Sequence, residues 1–203
     1  MTRGFDPQPV TLEGVSVRLE PLARRHAEDL FEVGKDETIW PYMPRPPLKS
    51  VQDTHAMIDQ ALEVAAGGTQ IPFAIIERTN GKAIGSTRYL DIRPNDRGLE
   101  IGWTWVGTAF QRTVMNTECK YLLLCHAFEE LGAVRVQLKT DLRNVRSQRA
   151  IERLGAVREG VLRKHIVLWD GFIRDTVYYS VIESEWPEVK RRLVQLLQQR
   201  SSP

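Results

Sequence analysis

The chain has 203 residues, 42% hydrophobic and 27% charged, with a formal net charge of +2. That is the balance of an ordinary globular chain, and it leaves no basic footprint for bulk nucleic-acid binding. No apolar run approaches the roughly 20 residues that a membrane span needs.

Residues 1–12 read as a loose leader. Val15, Val17 and Leu19 alternate with polar residues and predict a first strand. Arg24–Gly34 reads as a helix with Ala27, Leu30 and Phe31 inward. The stretch Ile39–Ser50 carries four prolines, which exclude regular structure. Its large residues Trp40 and Tyr42 suit either a pocket wall or a loop pinned on the core. Ser50 and Asp53 nearly make a capping box for a helix burying Met57, Ile58, Ala61, Leu62 and Ala65, ended by Gly67-Gly68. Ile71–Glu77 and Ala83–Ile92 read as strands joined through Asn80-Gly81, a strong hairpin signal. Leu99–Val106 alternates: Leu99, Ile101, Trp103 and Trp105 are expected on one face, Glu100, Gly102, Thr104 and Val106 on the other. These three strands make an antiparallel meander.

A short connection, Gly107–Asn116, feeds a helix over Thr117–Leu131 with Tyr121, Leu124, Cys125, Phe128 and Leu131 as its stripe and Gly132 as its stop. A loop opening onto a helix N-terminus presents unpaired N–H groups and the positive end of the dipole, so Gln111–Asn116 is a candidate phosphate cradle. A plain strand-to-helix turn explains the same spacing. Val134–Thr140 is the next strand. The crossover makes it parallel to Leu99–Val106, and the pair is expected to splay. Asn144 is a good N-cap for a helix burying Ser147, Ala150, Ile151 and Leu154, ended by Gly155. Val161–Leu168 and Phe172–Ile182 are strands joined at Asp170-Gly171. Ser184 is read as the cap of a last helix within 184–203, with Trp186, Val189, Leu193, Leu196 and Leu197 on one face. One domain over 1–203 is expected.

Few residues stand out chemically. Ser147 lies on an inward helical stripe and suits an active-site hydroxyl or a first-turn backbone bond. Glu100 lies on the central strand and suits a general base or an arginine-paired carboxylate. The histidines share no ligand spacing, so no metal is expected. Cys119 and Cys125, in one predicted helix, cannot face each other, so no disulfide joins them. Residues 1–9, polar and proline-containing, do not read as a secretory signal. A reducing, cytoplasmic compartment is the expectation.

The segments LEIGWTWV and AFQRTVMNTECKYLLLCHAFEELGAVRVQLKTDLRNVRSQRAIERLGAVREGVLR resemble the GNAT N-acetyltransferase superfamily, most closely the ribosomal-protein N-terminal acetyltransferase (RimJ/RimL type) branch. The resemblance runs from about Val15 to Trp186. It implies an α+β fold: a mixed, mostly antiparallel sheet with a central splayed parallel pair and helices on both faces. It implies acetyl-CoA as donor and a primary amine as acceptor, most simply a protein N-terminal α-amine. A small amine (polyamine, amino sugar or amino acid) or a non-catalytic CoA-binding module are the alternatives. Trp105 and Val106 should pair with the pantetheine arm, and Gln111, Arg112, Thr113, Val114, Met115 and Asn116 should hold the pyrophosphate. Asn144 should hold the arm, with Arg149 and Arg153 toward the nucleotide. Ser147 should serve the thioester sulfur and Glu100 the amine, with Trp40, Tyr42 and Trp103 walling the acceptor site. Exposed Trp and Leu positions on the last helix suit a homodimer. One departure is plain: the family's pyrophosphate loop carries glycines, and Gln111–Asn116 has none. Two readings follow: an ordinary helical entry with Arg112 adding charge, which is the expectation, or a weakened affinity for the cofactor.

Overall fold

The structure, a computed structural model, describes residues 4–199. The leader and terminal helix read from sequence extend into residues 1–3 and 200–203, which lie outside the described residues.

Among the described residues the strands are β1 (Leu12–Glu13), β2 (Val17–Pro21), β3 (Gln70–Glu77), β4 (Ala83–Arg93), β5 (Gly98–Val106), β6 (Arg135–Asp141), β7 (Val157–Val167) and β8 (Ile173–Ile182). They form one sheet in the order β1-β2-β3-β4-β5-β6-β8-β7. Only β5 and β6 are parallel. The helices are α1 (Ala27–Gly34), α2 (Val51–Ala66), α3 (Met115–Cys125), α4 (Val145–Leu154) and α5 (Trp186–Gln199). One apolar core, with Leu30, Trp40, Ile58, Ala74 and Trp105, lies between the sheet and α1–α2. The other, with Leu19, Phe73, Leu99, Cys119, Leu123, Val136 and Leu193, lies under α3 and α5. Helices therefore cover both faces, as expected.

Several local expectations change. Over residues 4–12 the leader is not loose: Phe5 and Leu12 are buried in the core, and Leu12 pairs with Leu19. Two apolar side chains leaving water outweigh the polar composition around them. Leu62 faces outward, while Ser50 caps α2 through the Asp53 N–H at 3.1 Å. The α3 stripe is Cys119, Leu123, Leu124 and Ala127, whereas Tyr121, Cys125 and Leu131 are only half-buried. The helix relaxes into a wider turn over His126–Glu130 before Gly132 at φ +70°. The last helix starts at Trp186, and it is Glu185 that turns its carboxylate back onto the Ile182 N–H, at 3.1 Å.

The largest correction concerns β5. Its alternation breaks at Trp103, which sits at φ +50° in a bulge opposite Thr87. An extra residue reverses the facing of everything beyond it. Leu99, Ile101 and Val106 therefore join the α3 core, whereas Trp105 joins the α1–α2 core. The bulge is tied from beneath: Lys120 Nζ on α3 donates to Thr104 Oγ1 at 2.5 Å, and that hydroxyl lies 2.8 Å from Thr87 Oγ1.

Two features frame the sheet. Buried Glu118, in the first turn of α3, accepts the backbone N–H groups of Val15, Ser16 and Val17 at 2.6, 2.8 and 3.0 Å. A Cβ at Gly14 would come within 2.8 Å of that carboxylate, so a side chain does not fit there. At the far edge, β7 bulges between Leu162 and Ile166, where Lys164, at φ +49°, donates its N–H to Asp175 Oδ1 at 2.7 Å.

Candidate active site

The parallel pair exists over three residue couples, Gly98–Arg135, Leu99–Val136 and Glu100–Gln137. Beyond them β5 runs on with β4 and β6 turns to β8. A wedge-shaped gap opens at the carboxyl ends of both strands, the place where ligands enter such sheets. Gly107 N–H donates to the Ile84 carbonyl of the preceding hairpin strand at 2.9 Å. Backbone groups alternate sides in an antiparallel ladder. Val106 therefore presents its N–H and C=O to the gap, and Trp105, opposite Ser86, commits its own to β4. Of these two expected backbone contacts the gap retains Val106. The Val106 carbonyl is met by Gln111 Nε2 at 3.3 Å.

The loop beyond the gap ends at α3. Thr113 Oγ1 donates to the Phe110 carbonyl at 2.7 Å and accepts from Met115 N–H at 3.3 Å. The N–H groups of Asn116 and Thr117 meet no acceptor among the described residues. Asn116 Oδ1 is buried without a partner. Arg112 has φ +63°, the left-handed conformation that glycine adopts freely. The expected ordinary helical entry is therefore wrong at this position: the chain keeps the glycine-like turn and fills it with an arginine. From α4, Arg146 Nη1 donates to Gln111 Oε1 at 2.8 Å and Arg153 Nη2 to Thr117 Oγ1 at 3.1 Å. Arg149 is exposed on the same helical row. An open helix start and this arginine row form an anion cradle.

At the α4 start, Asn144 Oδ1 accepts the Ser147 N–H at 3.0 Å, which is the capping reading. The Asn144 amide N–H groups remain for a ligand. Ser147 is half-buried, and its hydroxyl has no hydrogen-bond partner among the described residues. Glu100, on the last couple before the gap, is 1% exposed. Its Oε2 meets Lys139 Nζ at 3.0 Å and Gln137 Nε2 at 2.9 Å, while Oε1 has no partner. The arginine pairing considered for it is a lysine pairing instead. A Cβ on Gly102 would lie 2.8 Å from Oε1, so glycine makes room for the carboxylate.

The acceptor walls divide. Trp40 is 1% exposed, donates its indole N–H to the Gly34 carbonyl at 2.8 Å and leans on Trp105 at 5.0 Å. It belongs to the core, not to a wall, because its one polar group is already satisfied inside. Tyr42 is half-buried and faces Arg143, whose guanidinium lies 5.6 Å from the Tyr42 ring centre and 3.4 Å from that of Phe172. Asp141 fixes that guanidinium with two contacts of 3.0 and 2.7 Å. Trp103 is half-buried beneath Arg88, at 4.3 Å.

The sequence profile of the acetyltransferase (GNAT) domain matches residues 16–157. The chain belongs to the GNAT acetyltransferase family. A GCN5-related N-acetyltransferase from Brucella melitensis superposes on this GNAT domain with a TM-score of 0.88 at 31% identity, covering 95% of this chain and 87% of its own. Mycobacterium smegmatis RimJ, solved in complex with CoA-disulfide, covers 95% of this chain and 96% of its own at a TM-score of 0.80. At 21% identity it shows the shared fold. Bacillus subtilis YdaF, provisionally named a ribosomal N-acetyltransferase, is 31% identical over 107 residues. That match spans 53% of this chain and 57% of the relative's own length.

Three side chains of this GNAT domain escape a reading by motif. Arg146 precedes Arg149 and Arg153 at helical spacing, a signal available in the sequence. Arg143 and Lys120 carry none, since the Tyr42 and Phe172 rings that Arg143 meets and the Thr104 hydroxyl that Lys120 reaches are distant along the chain. Lys120 is 6% exposed, and burial pushes its ammonium down to about 8. Between that value and the ordinary 10.5, the unfolded chain binds more protons than the folded one. Stability should therefore rise with pH from about 8 to 10.5. Lys120→Met should remove that rise and stabilise the fold by about 2 kcal/mol at pH 7. Urea unfolding at pH 7, 8.5 and 10 measures both; an unchanged slope would show the lysine already paired.

Proposed function

We propose that this chain transfers an acetyl group from acetyl-CoA to a primary amine, most simply the α-amine of a protein or peptide N-terminus. The observation that carries the reading is the gap opened beyond Glu100–Gln137, lying between an open helix N-terminus and a buried carboxylate with one oxygen unspent.

The residues present fit the donor. Acetyl-CoA, when bound, supplies an acetyl group activated as a thioester. The N–H groups at the start of α3, with Asn116, Arg146, Arg149 and Arg153, would hold its pyrophosphate and nucleotide. Val106 offers a backbone donor and acceptor to the pantetheine arm, with the Asn144 amide beside it. Donors fixed in a strand need no reorganisation when negative charge develops on a carbonyl oxygen. Ser147 offers its free hydroxyl proton to the departing thiolate. Glu100 Oε1 takes a proton from the attacking amine, directly or through a water. The Lys139 ammonium offsets the charge of Glu100. An α-amine, with a pKa of about 7.7–8.0 against about 10.4 for lysine, needs less help to lose its proton.

Titration calorimetry of acetyl-CoA into the purified protein tests the donor site, and Kd should be micromolar. Asn144→Ala should weaken binding about tenfold. Thiol release over a panel of N-terminal peptides, spermidine, an amino sugar and free amino acids then identifies the acceptor. Binding without transfer to any amine would leave a CoA-binding module. Transfer to spermidine alone would move the acceptor to small amines.

A further inference from the structure

Arg88 on β4 is a buried cation without a counter-ion. It is 8% exposed and makes one hydrogen bond, from Nη1 to Gln70 Oε1 at 3.0 Å. Its Nε has no partner. Gln70 cannot supply charge, and its amide nitrogen is tied to the Ala61 carbonyl at 2.8 Å. Arg45, in the proline-rich loop, is half-buried, with Nη1 against Met57 Sδ at 2.9 Å and its guanidinium 5.1 Å from the Trp40 ring centre. Among the described residues no carboxylate lies within 4.0 Å of either guanidinium. Asp53 attracts Arg45 from α2, but its oxygen accepts the Lys49 N–H at 2.9 Å. Burial, and then the charge of Arg45, push Arg88 down to about 10. A cavity of about 380 Å³, lined by Arg45, Lys49, Asp53 and Met57 among others, opens beside Arg45.

Two cations that repel each other, one buried and one half-buried, cost folding free energy unless an anion offsets them. The free edge of Arg88 is Nε with Nη2, since Nη1 is engaged. That edge matches the two oxygens of a carboxylate side by side. Its position is set by Trp103, on which Arg88 stacks. Trp103 is the bulge residue of β5, three positions beyond Glu100.

We propose that Arg88, with the charge of Arg45 adding to its own, binds a carboxylate of the acceptor, so that preferred substrates carry an acidic group close to the amine. This rests on the acetyl transfer proposed above. In a peptide the carboxylate is an acidic side chain in the first two residues. In a free amino acid it is the α-carboxylate.

The test compares matched acceptors under saturating acetyl-CoA: peptides beginning Ser-Asp or Ser-Asn, and a free amino acid against its amide. Wild-type KM should favour the carboxylate member of one pair at least tenfold. Arg88→Met keeps an unbranched stem over Trp103. It should bring that ratio to about one by raising KM for the acidic acceptor only. The pair that shows the preference identifies the source of the carboxylate. Equal KM within both pairs in the wild type, or a preference that survives Arg88→Met, overturns the proposal while leaving acetyl transfer intact. If no amine is acetylated, calorimetry with the Ser-Asp and Ser-Asn peptides still reads the site. Ser-Asp binding that Arg88→Met abolishes supports it, and equal binding of both peptides overturns it. Should Arg88→Met fail to fold, Arg45→Met, on a half-buried loop, should lower the wild-type preference at least threefold; an unchanged preference overturns the proposal.

Discussion

Glu118→Ala is expected to lower the folding free energy by about 3 kcal/mol, a shift of roughly 6–12 °C in Tm for a chain of this size. The carboxylate accepts three backbone N–H groups from a turn about a hundred residues earlier. Val17 is fully buried, so its N–H loses its partner and gains no water, while Val15, 88% exposed, can turn to solvent. Glu118→Gln keeps one acceptor oxygen but sets an amide N–H₂ against the donors, and should lose about half as much. Differential scanning calorimetry of the three proteins decides the matter. A Tm for the alanine variant within 2 °C of wild type would mean that the turn re-forms without the carboxylate. Because Glu118 also stands in the first turn of α3, the acid favours that helix start electrostatically.

Glu100→Gln is expected to slow acetyl transfer about a hundredfold, the contribution of a positioned base. Glutamine keeps the shape that Gly102 makes room for, so the fold should tolerate it. It removes the unspent anionic oxygen and leaves Lys139 without its counter-charge. Acetyl-CoA affinity should stay within about threefold of wild type, because the cradle at α3 is built from other residues. Steady-state rates with a fixed peptide acceptor, alongside donor calorimetry, separate the two quantities. A rate within threefold of wild type would assign proton removal to solvent.

The order of elements and the splayed pair were legible because each rests on local pattern: alternation, helical spacing and a crossover that compels parallel strands. The cap at Asn144 and the stop at Gly155, found at φ +104°, follow from single residue types. What escaped the sequence was set at a distance. Nothing near Trp103 announces a bulge. The tie that holds it comes from Lys120, so a regular alternation across residues 99–106 misplaced Trp105. Arg112 shows the opposite failure, since a missing glycine suggested an ordinary backbone where the left-handed turn persists. Trp40 and Trp103 looked alike as wall residues, and only packing separates a satisfied indole from one covered by a guanidinium. The free oxygen of Glu100 and the unpaired Arg88 are facts of three-dimensional accounting that no spacing encodes.

The kinked outer strand β7 bears on behaviour at high concentration. An unpaired sheet margin is a template on which another chain can add, and Leu162, Val167, Trp169 and Phe172 near this one are exposed and apolar. The Leu162–Ile166 distortion breaks the run of backbone donors and acceptors that an incoming strand would need. Arg163 and Lys164 fall inside it, so a second copy approaching in register would set like charges together. The irregularity thus guards against fibrous growth along an edge whose side chains alone would invite it.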